Sequence, residues 1–177
     1  RGCPYQCTFC FNRSWNKKSY RYQDPQKVVE QIKYAKEWFP QAELIGFTDD
    51  NFFADRARAF AIVRGIVDRG LDLRFQLQGV EVRQILAFTD GELDLLVRAG
   101  CNRFSVGAES GSPRVLGYLG KDLAPADIVA ANRRMRRFPI VVYYSFVSGF
   151  PGETVDDLHA TIDLALRLTA ENGHARS

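Results

Sequence analysis

The stretch IVVYYSFV, residues 140–147, is a run of β-branched and aromatic residues interrupted only by Ser145. This composition is typical of a strand buried in a sheet. Pro139 precedes the run, and Thr154 with Asp157 form the capping-box pattern that starts a helix, which runs to about residue 168. A strand followed through a short loop by a helix is the repeating unit of a parallel α/β sheet.

The same unit recurs along the chain on the N-terminal side of this stretch. Three further short apolar runs are predicted strands: ELIGF (43–47), LRFQLQ (73–78) and RFSVG (103–107). Four segments with apolar residues at helical spacing precede or separate them, at about 24–39, 54–69, 89–99 and 125–137. With the helix that begins at Thr154, the sequence predicts four strands and five helices in an α/β fold with a parallel sheet.

Polar segments follow three of the predicted strands. They are residues 48–51 (TDDN), 105–110 (SVGAES) and 148–153 (SGFPGE). In parallel βα units the carboxyl ends of the strands meet at one edge of the sheet, where the connecting loops gather. We therefore expect these three segments to share one functional edge, although they are far apart in sequence.

The amino-acid composition limits the classes of protein to which this chain can belong. The 177 residues are 46% hydrophobic and 25% charged, a balance that suits one globular domain with a core. The formal net charge of +3 does not indicate a nucleic-acid partner. No apolar run approaches the roughly 18 to 20 residues of a membrane helix, so we predict a cytoplasmic protein with no membrane span.

Three of the four cysteines fall within eight residues, in the pattern CxxxCxxC: Cys3, Cys7 and Cys10. This crowding favours metal binding over disulfides, and Cys101 is predicted to be a buried apolar residue. Three thiolates would leave one iron of a 4Fe–4S cluster open to an external molecule. A zinc ion would require a fourth protein ligand, for which only Cys101, His159 and His174 are available, all distant in sequence.

The segment RGCPYQCTFC, residues 1–10, resembles the radical S-adenosylmethionine (SAM) superfamily, whose hallmark is CxxxCxxC with an aromatic residue before the third cysteine, here Phe9. Three later motifs recur in the order found in that superfamily: FTDDNF (47–52), GAESG (107–111) and SGFPGET (148–154). The sequence of the first segment is most similar to the sequences of one branch of the superfamily, whose members carry an upstream cobalamin-binding domain. The resemblance spans nearly the whole chain.

The resemblance implies a fold and a reaction. The fold would be a partial (β/α)6 barrel, with residues 1–177 forming a core domain that is incomplete at both ends, the first strand preceding Arg1 and the last following Ser177. The open iron would bind SAM, and reductive cleavage of SAM would give a 5′-deoxyadenosyl radical that takes hydrogen from a small-molecule substrate. A reducing partner such as flavodoxin or ferredoxin would supply the electron.

The resemblance also implies which residues bind SAM, and two of the groups have a purely structural alternative. One or more of Asp49, Asp50 and Asn51 would meet its ammonium group, although such a tip is often only a solvated turn. Glu109 and Ser105 would bind the ribose, although Glu109 could instead cap the helix that begins near Ser112. The remaining two predicted contacts, Phe9 and Val147, would border the adenine.

Two further functions stay open beside the leading one, which is a cobalamin-dependent methyltransferase or oxidative cyclase. A radical SAM methylthiotransferase or oxidase would use the same core without cobalamin. A zinc-stabilised binding module, from a different class, would use the three cysteines without catalysis. The sequence does not specify the substrate, the electron donor, the oligomeric state or the residue of 49–51 that contacts SAM.

Overall fold

Five parallel strands form one sheet, and their order in the sheet follows their order in the chain. A computed structural model describes residues 1–15 and 19–177. The strands are β1 (Leu44–Phe47), β2 (Arg74–Val80), β3 (Cys101–Glu109), β4 (Val141–Phe146) and β5 (Ala175–Arg176). Because neighbouring parallel strands need a crossover, each is joined to the next by at least one helix.

Helices make up most of the remaining chain. The eight in the described residues are α1 (Phe11–Trp15), α2 (Pro25–Trp38), α3 (Arg56–Asp68), α4 (Val82–Ala87), α5 (Asp90–Arg98), α6 (Pro113–Tyr118), α7 (Pro125–Met135) and α8 (Val155–Glu171). Side-chain oxygens of Asp24, Asp55, Thr89 and Thr154 accept hydrogen bonds from the first turns of α2, α3, α5 and α8. These caps explain why the helices begin where the sequence predicts.

The predicted fold class is confirmed as a partial β/α barrel built on a parallel sheet. The four predicted strands correspond to β1 through β4. The prediction of a strand after Ser177 stays a prediction, but the structure adds a strand that the sequence does not predict: β5, which pairs with β4 through Val142 and Ala175. A two-residue strand has no alternation of apolar and polar residues, so the sequence carries no sign of it.

The two faces of the sheet differ in chemistry. Side chains on the helix-covered face are fully buried and apolar, as with Phe75, Leu77, Phe104, Val106 and Val142. Side chains on the other face alternate with them and are polar: Gln76, Arg103, Ser105, Tyr143 and Ser145. One face therefore supplies the core, and the other supplies a polar surface that ends at the loops.

The strand β1 is more exposed than its apolar sequence predicts. Leu44 has 44% of its surface exposed, and Ile45 is only half-buried. In residues 1–15 and 19–177, β1 pairs on one side only, with β2. Burial of an apolar strand depends on neighbours on both sides, which its own sequence does not encode.

None of the helices in the described part of the chain is long and apolar enough to cross a membrane. The longest, α8, has 17 residues and includes charged ones such as Asp156, Asp163 and Arg167. A membrane helix needs about 20 predominantly apolar residues.

Gly79 allows β2 to approach the turn that follows β1. It lies in a bulge of β2 with a φ of +64°, a left-handed conformation that suits glycine. A Cβ atom there would lie 2.2 Å from the carbonyl oxygen of Asp50 and 2.7 Å from that of Asp49. The position of both aspartates therefore depends on the absence of a side chain at residue 79.

We predict that Gly79→Ala lowers the free energy of unfolding by roughly 2–4 kcal/mol, through left-handed strain and overpacking. Urea unfolding of wild type and variant measures the change. Gly91→Ala in α5 is the matched control, because a Cβ there meets nothing within 4 Å, and alanine favours a helix over glycine. A variant at residue 79 as stable as the control would contradict the close approach.

Candidate functional site

The three clustered cysteines lie on an extended loop, residues 1–10, which we call the cysteine loop. The backbone N–H of Gly2 donates to Asp50 Oδ2 over 2.7 Å. Further along, the backbone N–H of Thr8 donates to the carbonyl of Leu119 over 2.9 Å. These bonds fasten the loop to the segment after β1 and to the end of α6, so it lies at the carboxyl edge of the sheet.

Burial affects the chemistry of the cysteine thiols. The side chains of Cys3, Cys7 and Cys10 are partly buried and form no disulfide. Desolvation raises the pKa of Cys3 and of Cys7, and the charge of Cys10 raises both further. The three thiols thus sense one another electrostatically, and a cationic metal centre would stabilise the thiolates that burial disfavours.

The two candidate metal centres, a zinc ion and an iron–sulfur cluster, differ in the arrangement of ligands that they need. In residues 1–15 and 19–177, no three or more His, Cys, Asp or Glu side chains converge on one ion position. A zinc ion requires four ligands around one point, whereas the cysteines of a 4Fe–4S cluster bind separate irons and surround the cluster. Cys101, a candidate fourth zinc ligand, is 3% exposed, in agreement with its predicted role in the core.

The segment after β1 (residues 48–51, the β1 tip) packs against the cysteine loop. Asp49 is half-buried, while Asp50 is exposed and accepts the bond from Gly2. Asn51 is fully buried, and its amide nitrogen donates to the sulfur of Cys3 over 3.9 Å. The three predicted residues of this tip therefore occupy three different environments.

The segments that end β3 (residues 105–110, the β3 tip) and follow β4 (residues 148–153, the β4 tip) lie at the same edge. The N–H of Val147 donates to the carbonyl of Glu109 over 2.9 Å and joins the two strand ends. Phe9 of the cysteine loop contacts Phe150 of the β4 tip, with ring centroids 5.9 Å apart. The predicted gathering of three polar segments at one edge is therefore confirmed.

Glu109 has a strained backbone and a charged partner. Its φ is +64°, in the left-handed region that non-glycine residues rarely adopt. Its carboxylate lies 3.0 Å from Lys121 Nζ, which also donates to the carbonyl of Gly107 over 2.7 Å. A Cβ at residue 107 would lie 2.2 Å from the Glu109 carboxylate, so the carboxylate and the lysine fold over Gly107 on the same face as Ser105.

Lys121 is a site residue that the sequence analysis missed. Its side chain is 6% exposed, and Glu81 lies 3.8 Å away as a second carboxylate beside Glu109. Burial works to lower the pKa of Lys121, but the two carboxylates outweigh it and the pKa is raised. The pKa of Glu81 is raised as well, chiefly by burial. No motif marks Lys121, and only its tertiary position beside two carboxylates identifies it.

Two cavities lie near this edge. A small one of about 80 Å³ is lined by Tyr5, Cys7, Glu81 and Lys121. A larger depression of about 550 Å³ runs along the exposed side of β1 and touches Asp49 but none of the cysteines. The reactive side chains, rather than the size of the depression, therefore locate the candidate site.

Hydrogen bonds also join the β3 tip to α8. The hydroxyls of Ser110 and Thr161 are 2.9 Å apart, and Ser112 donates to Asp157. Arg114 forms an ion pair with Asp157, which together with the bonds from Ser112 and Thr154 holds the pKa of that carboxyl well below its usual range. The motifs GAESG and SGFPGET thus share a structural role in anchoring these loops.

The remaining predicted residues are exposed or half-buried. Phe9 has 44% of its surface exposed and Val147 has 39%. Ser105 is half-buried on the polar face of β3. Glu153 is half-buried and accepts a hydrogen bond from the N–H of Gly149 within its own loop.

Comparison with known proteins identifies the family and the relatives that this chain resembles. The model of the radical SAM superfamily matches residues 1–165. An uncharacterized methyltransferase of Pyrococcus horikoshii is 30% identical over 168 residues, 95% of this chain and 36% of that protein. An anaerobic magnesium-protoporphyrin IX monomethyl ester cyclase of Cereibacter sphaeroides is 29% identical over 170 residues, 93% of this chain and 27% of that protein.

Among solved structures, a similar fold occurs in the radical SAM methyltransferase TsrM from Kitasatospora setae, determined with cobalamin and a 4Fe–4S cluster bound. The TM-score is 0.80 at 24% sequence identity, over 95% of this chain and 31% of that one. The chain spans about a third of the length of the curated relatives it matches. From its sheet, its cysteine loop and a family match that covers residues 1–165, we conclude that the chain belongs to the radical SAM superfamily.

Proposed function

We propose that the chain forms the catalytic core domain of a radical SAM enzyme. In this proposal Cys3, Cys7 and Cys10 bind three irons of a 4Fe–4S cluster, and the fourth iron is open to SAM. The observation that carries it is the set of three partly buried, free thiols on one loop at the carboxyl edge of a parallel sheet. When bound, the cluster supplies the electron that cleaves SAM and generates a 5′-deoxyadenosyl radical.

The chain's own residues would bind and orient SAM around this loop. Asp49 and Asp50 offer carboxylates for the ammonium group, and charge-assisted hydrogen bonds of that kind are strong. Glu109, held by Lys121, would accept hydrogen bonds from the ribose hydroxyls. Ser105 lies on the same polar face and would assist it.

The apolar part of SAM would lie farther along the edge. Phe9 and Val147 are both exposed there and would border the adenine. The contact of Phe9 with Phe150 would hold the ring in place. Water would be displaced from this surface when the base binds.

For the whole protein, we propose a cobalamin-dependent methyltransferase or an oxidative cyclase, with cobalamin held by a domain preceding this chain. Both classes of name occur among the relatives. The substrate would be a small molecule, a reducing protein such as flavodoxin or ferredoxin would deliver the electron, and the location would be cytoplasmic. The sequence preceding residue 1 distinguishes this branch from one that works without cobalamin.

We predict that Cys3→Ser, Cys7→Ser and Cys10→Ser each abolish the 4Fe–4S cluster, because each removes one of only three protein ligands. The full-length protein would be reconstituted anaerobically with iron and sulfide, reduced, and studied by electron paramagnetic resonance. The wild-type signal should change when SAM is added. Cys101→Ala is the matched control, since this buried thiol lies in the core and its variant should keep the full signal.

The same samples test the competing zinc module. Bound zinc in the wild type, with no cluster signal after reconstitution, would contradict the radical SAM proposal. Equal cluster content in the control and in all three loop variants would contradict the ligand assignment. Metal analysis of each sample separates these outcomes.

We predict that Glu109→Gln weakens SAM binding about tenfold, because a neutral amide accepts weaker hydrogen bonds and no longer pairs with Lys121. Anaerobic calorimetry of the reconstituted full-length protein measures the affinity, and the cluster signal should stay unchanged. Asp122→Asn is the control, since this aspartate pairs with Arg83 at the same edge but its side chain is 92% exposed. Unchanged affinity for Glu109→Gln would limit Glu109 to holding Lys121.

A further inference from the structure

A chain of three hydrogen bonds runs from the start of α4 to the cysteine loop. The backbone N–H of Glu81 donates to Gln84 Oε1 over 3.0 Å. Gln84 Nε2 donates to Asn51 Oδ1 over 2.8 Å. Asn51 Nδ2 donates to Cys3 Sγ over 3.9 Å, a distance at which the large sulfur atom still accepts a hydrogen bond. We call this chain the amide relay.

The direction of the amide relay is set by the backbone. A backbone N–H can only donate, so it must face the oxygen of Gln84. The amide nitrogen of Gln84 is then left to face Asn51, whose oxygen must accept from it. The amide nitrogen of Asn51 consequently points at Cys3. Neither amide can be reversed without placing two donors or two acceptors against each other.

The amide of Asn51 lies in a buried, largely apolar environment. Its side chain is fully buried, and the next two residues, Phe52 and Phe53, are 1% and 3% exposed in the aromatic core. Both ends of the amide are engaged, by Gln84 and by Cys3. A buried amide is costly unless its groups are hydrogen-bonded, so the relay holds Asn51 in one orientation.

The bond from Asn51 acts on the charge of the sulfur. The amide hydrogen of Asn51 is directed at the Cys3 sulfur, and a hydrogen bond to a charged group favours its charged form. Hydrogen bonds to cluster sulfurs are a recognised control on the reduction potential of iron–sulfur centres. An added electron increases the negative charge on the ligating sulfurs and strengthens such a bond.

We infer that Asn51 is a positioning residue that raises the reduction potential of the cluster by donating a hydrogen bond to the sulfur of Cys3, and that Gln84 fixes its direction. This inference rests on the proposed function, because it requires the cluster at Cys3. It gives Asn51 a different role from its neighbours Asp49 and Asp50, whose carboxylates are not engaged with any cysteine. The electron that cleaves SAM would thus enter a cluster whose potential depends on α4.

The test is a redox titration of the reconstituted full-length protein, followed by electron paramagnetic resonance of the reduced cluster. Asn51→Leu removes the donor with little change in size. At the wild-type midpoint potential, its ratio of reduced to oxidised cluster should fall about fivefold, the effect of losing one hydrogen bond. Gln84→Leu keeps Asn51 but releases its orientation, and should shift the ratio in the same direction by a smaller factor.

Two comparisons separate tuning from a structural role. Gln41→Leu makes the same chemical change at an exposed position before β1 and should leave the potential unchanged. The double variant Asn51→Leu with Gln84→Leu should match Asn51→Leu alone, since Gln84 acts through Asn51. A further shift in the double variant would show that Gln84 acts independently and would overturn the relay.

The outcomes distinguish this inference from the proposed function. A wild type that forms no cluster would overturn both. A wild type with a cluster whose potential is unchanged in Asn51→Leu and Gln84→Leu would overturn the inference alone. Should Asn51→Leu fail to fold or to take up iron, Gln84→Leu decides, since it removes only the bond to Asn51 Oδ1 and leaves Asn51 itself in place. An unshifted potential in that variant then overturns the relay.

Discussion

The parallel pairing of the five strands is the constraint on which the candidate site depends. It brings the ends of β1, β3 and β4 to one edge, whatever their separation in sequence. The cysteine loop has no sheet or long helix of its own and is fastened to that edge by a few hydrogen bonds, including those of Gly2 and Thr8. The sheet therefore provides the surface against which the loop holds its three thiols.

Interactions among buried charged side chains stabilise the conformation of this edge. Lys121 offsets the charges of Glu81 and Glu109 where water is largely excluded, and an unpaired charge there would be costly. The same lysine keeps the Glu109 carboxylate over Gly107 despite an unfavourable backbone angle. A residue in such a sparsely populated backbone region persists only where the surrounding structure fixes it.

Local sequence patterns predict the parts of the fold that depend on interactions between residues close in sequence. The run 140–147 and the cap at Thr154 identify β4 and α8 because alternation, propensity and capping act within a few residues. The exposure of β1 and the position of β5 depend on pairing, and were not predictable. The cysteine motif is visible because its spacing is local. Gln84 lies in the short helix α4, which follows the bulge of β2, and Lys121 follows the short helix α6. A bulge and short helices leave no clear hydrophobic period in the sequence, so the sequence predicts neither residue at the site.

Neighbouring polar residues of the β1 tip have different hydrogen-bonding roles. Asp50 accepts from a backbone N–H, whereas Asn51 donates to a thiol through its amide nitrogen, a donor that an ionised carboxylate lacks. A carboxylate in place of Asn51 would set a negative charge against Cys3 and would lack the donor. An amide in place of Asp50 would weaken the bond to Gly2. The residue types of Asp50 and Asn51 therefore match their partners: an acceptor faces the N–H of Gly2, and a donor faces the sulfur of Cys3.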